Sequence, residues 1–86
     1  MRLDKYLKVS RLVKRRTVAN EACDAGRVLV NSRPARASLE VKPGDEIELR
    51  LGARTLRVRV LGVDPCVAKQ DAAGLYQILS EGPAGR

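Results

Sequence analysis

Residues 46–60 carry the cleanest periodic signal in the chain, and they constrain the fold more than any other stretch. Ile47, Leu49 and Leu51 alternate with polar residues, Gly52-Ala53 marks a turn, and Leu56, Val58 and Val60 alternate again. Period-two alternation on both sides of a short turn predicts a β-hairpin with one apolar face. Its other face sets Glu46, Glu48 and Arg50 against Arg57 and Arg59, so these two arginines are expected to pair with acids across the strands. A two-stranded hairpin is marginal by itself. The cover for its apolar face has to come from elsewhere in the sequence.

Two short helices are predicted upstream. In residues 3–9, Leu3, Tyr6 and Leu7 fall on one arc at about 100° per residue, with Arg2, Lys5 and Lys8 on the other side. A second helix is predicted from about Arg15 to Ala25, with Val18, Ala22 and Ala25 as its buried stripe and Ala19 and Cys23 flanking it. Gly26 follows as a left-handed cap. Residues 27–31 are predicted as a strand, Asn31-Ser32-Arg33-Pro34 as a turn, and 35–42 as a connector. Lys42-Pro43-Gly44-Asp45 has the pattern of a type II turn. Leu3, Leu7, Val18 and Ala22 can then bury against Val28, Val30 and Ile47. Beyond Gly62 the signal fades. Asp64-Pro65 is a break, Ala68–Gly74 has room for a helical turn, Leu75–Leu79 is an apolar run of undefined type, and Ser80–Arg86 reads as frayed.

Charge divides the chain. Arg2, Lys5, Lys8, Arg11, Lys14, Arg15, Arg16, Arg27, Arg33 and Arg36 face only Asp4, Glu21 and Asp24 over residues 1–36, whereas charges cancel over 37–86. The whole formal charge of +7 thus sits in the first two-fifths of the sequence. A concentrated basic field attracts a polyanion and orients it. Lys14-Arg15-Arg16 opens the second helix, where the dipole disfavours cations, and a bound phosphate would compensate. With no Phe or Trp and only Tyr6 and Tyr76, the chain cannot build a stacking platform for single strands. Folded RNA, held through phosphates and shape, is the expected partner.

Composition argues against catalysis. Histidine is absent, which removes the usual general base and the commonest metal ligand. The glycines are scattered and form no phosphate loop, so no cofactor and no metal are expected. Cys23 and Cys66 stand apart without metal-ligand spacing and are expected to be reduced and structural, in a cytoplasmic protein. No apolar run reaches membrane-spanning length, and no secretory signal is readable at the start.

Four blocks carry a family resemblance: Arg2-Leu3-Asp4-Lys5, Arg15-Arg16-Thr17-Val18-Ala19, Gly26-Arg27-Val28-Leu29-Val30-Asn31 and Val41-Lys42-Pro43-Gly44-Asp45-Glu46-Ile47. In this order and spacing they resemble the RNA-binding domain named after small-subunit ribosomal protein S-four, over about residues 1–50. The resemblance implies an α+β fold, with two N-terminal helices packed on a small curved, mainly antiparallel sheet and structured RNA across the helices. On this reading residues 1–62 form the RNA-binding domain, and 63–86 are a short extension packing on it or trailing from it. The family pattern often places Ser before the basic residue that opens the second helix. Lys14 stands there instead, which leaves the cap open and sharpens the local charge.

The chain's length, its opening residues and its closing Leu75-Tyr76-Gln77-Ile78-Leu79 are most similar to the RqcP-type factors of bacterial ribosome-associated quality control. That likeness implies a non-enzymatic protein on obstructed large ribosomal subunits. It would bind rRNA and P-site peptidyl-tRNA while an RqcH-type factor directs alanine tailing, and would be a monomer off the ribosome. The candidate RNA-binding residues are Arg2, Asp4, Lys5, Lys8, Arg11, Lys14, Arg15, Arg16, Thr17, Asn20, Arg27, Asn31 and Arg33. Asp4 stands out among them: an acid in a basic site either orients neighbouring arginines such as Arg2 and Arg16 or accepts a hydrogen bond from the RNA. Competing readings are a heat-shock-type recycling factor for large subunits, a protein-interaction module built on the hairpin, and a small DNA-binding protein.

Overall fold

The computed structural model describes residues 1–52, 54–64 and 69–83. Helix α1 spans Leu3–Val9 and buries Leu3, Tyr6 and Leu7 completely, the arc that their spacing predicts. Its first turn has no side-chain cap. The Leu3 and Asp4 N–H groups instead donate to the carbonyls of Leu39 and Ala37, at 2.8 and 3.1 Å, which satisfies two of the free donors of a helix start. The helix stops at Ser10. Arg11 then takes a left-handed conformation (φ 64°), and its N–H returns to the Lys8 carbonyl at 3.1 Å.

Helix α2 spans Arg16–Asp24 and closes on Gly26 at φ 74°. The Gly26 N–H donates to Cys23 and the Arg27 N–H to Ala22, the paired bonds of a glycine-capped helix end. Its buried face differs from the expected one. Ala19 and Cys23 point inward, while Val18 is 46% exposed, Ala22 is half-buried and Ala25 lies open. Residues 18, 19, 22 and 23 form one broad apolar arc. Close packing of α2 on α1 and the sheet selects the edge with the shorter side chains and leaves Val18 outside.

All five strands pair antiparallel, in the order β2-β1-β3-β4-β5. β1 (Val28–Val30) turns into β2 (Arg33–Pro34) through Asn31 and Ser32, both at positive φ (53° and 70°), which is the two-residue turn that matches strand twist. The predicted turn therefore narrows to two residues, with Arg33 and Pro34 already in the sheet. At Lys42–Asp45 the Asp45 N–H reaches the Lys42 carbonyl at 3.1 Å and Gly44 sits at φ 95°, as a type II turn requires. β3 (Glu46–Leu51) and β4 (Arg54–Val60) are the predicted hairpin; Ala53 lies outside the described residues.

Val28, Val30, Ile47, Leu49, Val58 and Val60 cover the inner face of the sheet and meet Leu3, Tyr6, Leu7, Ala19 and Cys23. On the outer face Arg59 pairs with Glu46 at 3.3 Å, as expected. Arg57 stands opposite Glu48, but that carboxylate is taken by Arg50 at 3.0 Å.

Two segments contribute more than the sequence suggests. The connector buries Ala35, Ala37 and Val41 in the core, and Arg2 makes an isolated antiparallel bridge with Glu40. A 3₁₀ helix at Lys69–Leu75 leads into β5, Tyr76–Pro83, which pairs with β4. Ser80–Pro83 are thus sheet and not frayed chain. Tyr6 closes the arrangement: its hydroxyl, buried and with its pKa pushed well above the ordinary tyrosine value by burial and then by Tyr76, donates to the Leu75 carbonyl at 2.7 Å.

Candidate nucleic-acid interface

Asp4 is the one charged side chain buried among the described residues, 2% exposed. It lies in the first turn of α1, and five hydrogen bonds converge on its two oxygens. Oδ1 accepts from Arg2 Nε (3.2 Å), from Arg16 Nη2 (3.4 Å) and from the Lys5 N–H (2.8 Å). Oδ2 accepts from Arg2 Nη2 (3.3 Å) and Asn20 Nδ2 (3.4 Å), with Arg16 Nε 3.3 Å away. Burial works against the charged carboxylate, but the hydrogen bonds from Arg2, Arg16 and the Lys5 N–H outweigh it and hold the Asp4 pKa below its ordinary 3.8. Asp4 therefore stays ionised at neutral pH.

The consequence is positional. Arg2 precedes α1 and Arg16 opens α2, so the carboxylate ties the two helix starts together. The outer halves of both arginines remain in solvent, 50% and 49% exposed. A guanidinium offers five donors in a fixed fork, and each fork here spends part of its donors on Asp4 and presents the rest outward. Across the two adjoining recesses at this junction, Arg2, Arg16 and Lys5 stand against Asp4 and Glu21, which leaves a net positive mouth.

The structure divides the thirteen candidates. Arg2, Asp4, Arg16, Thr17 and Asn20 line one recess together with Glu21, while Lys5 joins Arg2 and Arg16 in an adjacent one beside Met1 and Val63. Lys8, Arg11, Lys14 and Arg15 are exposed cations along the end of α1 and the loop to α2, and line neither recess. The cap position of α2 falls to Arg15 and not to Lys14: Arg15 is extended and makes no side-chain cap, and of the three cations expected in the first turn only Arg16 lies within the helix. Arg27 lies apart, in a recess with Val18, Ala22 and Arg50. Asn31 and Arg33 belong to the β1–β2 hairpin. The Asn31 amide is committed there, donating to Asp45 at 3.3 Å and accepting the Glu46 N–H at 3.1 Å. Sequence reading left out Arg36 and Lys42, which share a groove with Arg33; Arg36 had counted in the basic excess, and that was the available signal.

Cys23 sits beneath this surface. Burial, then the charges of Asp4 and Asp24, push its thiol up to about 11. At pH 7.5 it is expected to resist alkylation in the folded state and to react once urea unfolds the chain, read by mass spectrometry at that residue. Rapid native labelling would show the site to be open. Cys66, expected to be structural, lies outside the described residues.

The S4 domain family matches residues 1–47, which hold both helices and the β1–β2 hairpin. The RQC P-site tRNA stabilizing factor of Streptococcus pneumoniae is 53% identical over 81 residues, covering 94% of this chain and 92% of its own. The Bacillus subtilis protein of the same name is 49% identical, covering 99% of both chains. A trimeric structure of Vibrio cholerae heat shock protein 15 superposes with a TM-score of 0.85 at 28% identity, covering 93% of this chain and 82% of the other.

Proposed function

The chain belongs to the S4 domain family and, within it, to the RQC P-site tRNA stabilizing factors, and from that premise we propose that its Arg2–Asp4–Arg16 cluster grips folded RNA on the large ribosomal subunit. The observation that carries the reading is the buried Asp4 carboxylate, which fixes two half-exposed guanidiniums at the junction of both helix starts. Guanidinium forks held in place suit phosphate oxygens, and the charge-assisted bonds they make are the strong ones. Lys5, Lys8, Arg11, Lys14 and Arg15 supply the surrounding field that steers the RNA in.

The chemistry needs neither catalyst nor cofactor: the protein acts by binding. Its relatives' printed name supports the finer reading. The protein engages P-site tRNA and rRNA on large subunits obstructed by peptidyl-tRNA, in the cytoplasm. It holds that tRNA while an RqcH-type factor adds the alanine tail. The direct experiment is cosedimentation with purified large subunits, either empty or carrying peptidyl-tRNA. Preference for the loaded subunits is expected. Equal affinity for both would transfer the protein to the recycling-factor reading.

A further inference from the structure

A groove beside the β1–β2 hairpin holds three cations and an excess of positive charge. Arg33, Arg36 and Lys42 stand along it, exposed, over a floor that includes the buried Val30 and Ala35. Two carboxylates share the groove, one of them neutralised by an ion pair and the other held by neutral donors. Glu40 pairs with the Met1 amine, and Asp45 accepts from the Lys42 N–H at 2.9 Å and from the Asn31 amide. Among the described residues none of the three cationic side chains has an ion-pair partner. With Glu40 paired to the amine, the three cations stand against the single charge of Asp45, and this net positive groove favours an anion.

The groove also adjoins the first site. Its wall is the segment around residues 36–40, and the same segment anchors α1: the Asp4 N–H donates to Ala37, and Arg2 bridges Glu40. One strand of backbone therefore separates the two cationic surfaces, in a domain whose longest dimension is 33 Å. We propose that this groove is a second phosphate-binding site, which takes the backbone of the same RNA held by Arg2 and Arg16. This inference rests on the RNA-binding reading above. Arg33 and Arg36 offer forks to phosphate oxygens and Lys42 a point charge. Contacts to phosphate position the RNA without selecting its sequence. The grip thus has two points, and the second sets the angle at which the RNA leaves the helices.

The test is the Arg36→Gln, Lys42→Gln double variant, with Arg16→Gln and Arg57→Gln beside it, titrated against purified large ribosomal subunits over a range of salt. The double variant should keep its thermal midpoint, because both side chains are exposed. It should bind about tenfold more weakly, and its log K against log salt slope should fall by about 0.7–0.9 for each residue removed. Arg57→Gln should behave as wild type. Loss by Arg16→Gln with full retention by the double variant would overturn the groove site and leave the RNA reading standing. Retention by both would overturn the RNA reading itself. Weaker binding with an unchanged slope, or loss of a bound protein with RNA affinity intact, would assign the groove to some other partner and overturn the proposal.

Discussion

Arg16→Ala and Arg2→Ala are each expected to lower affinity for the large subunit by about ten- to a hundredfold, the loss that corresponds to one charge-assisted contact. Each should also flatten the salt dependence, by about 0.7–0.9 in log K per log salt for every phosphate released. Arg59→Ala removes a cation of the same type that is already paired with Glu46 across an exposed strand pair, and should change affinity little. Arg16→Lys should recover only part of the loss, since it restores the charge without the fork that reaches both Asp4 and a phosphate. Cosedimentation at three salt concentrations reads all four variants. Equal losses for Arg59→Ala and Arg16→Ala would show the chain binding by net charge alone.

The largest stability effect is expected at Tyr6. Its ring is fully buried between α1 and the sheet, so Tyr6→Ala should destabilise by about 3–5 kcal/mol. That is a large part of the 5–15 kcal/mol typical of a whole domain. Tyr6→Phe separates the ring from its hydroxyl. The Leu75 carbonyl also accepts the Leu61 and Gly62 N–H groups, at 2.8 and 3.2 Å, so losing the phenol leaves no orphaned acceptor. The cost should therefore be only about 0.5–1.5 kcal/mol. Urea unfolding of the two variants separates packing from hydrogen bonding. A Phe variant as unstable as the Ala variant would make the hydroxyl the main attachment of the 3₁₀ helix and β5.

Local pattern made part of this architecture legible. The Leu3, Tyr6 and Leu7 arc, the Gly26 cap, the Pro43-Gly44 turn and the 46–60 hairpin all follow from neighbours in sequence. The rest depends on partners far along the chain. Nothing local decides whether Val18 or Ala19 faces inward, because both lie in one apolar arc and only the closeness of α1 chooses. Connector residues Ala37 and Val41 are core because residues 37–41 pair with the chain's first residues, and Ala35 because its N–H donates to Val28 beside the β1–β2 hairpin. β5 was hidden by its irregularity. Leu79 has no cross-strand partner, so Ile78 pairs with Val58 while Ser80 pairs with Arg57, and the alternation that marks a strand breaks at that point.

The site divides the same way. Its sign and location were readable from composition, and the association of Asp4 with Arg2 and Arg16 was among the alternatives the sequence posed. Asn20 reaching Asp4 from 16 residues away, and the separation of Arg27 and Arg33 from that cluster, appear only when the helices pack.

The account stands on Asp4 as the part that positions the site, and its removal measures this directly. Asp4→Ala raises the positive charge of the surface by one. The Arg2 and Arg16 forks, already half in water, lose their common anchor while the helices stay covered by the core. The affinity of purified large subunits for wild type, Asp4→Asn and Asp4→Ala, measured by cosedimentation at one fixed salt concentration with folding checked by circular dichroism, gives the answer. Weaker binding by Asp4→Ala despite its higher charge, with Asp4→Asn between it and wild type, is the predicted result. Tighter binding by Asp4→Ala would contradict the account and reduce the interface to a patch of charge.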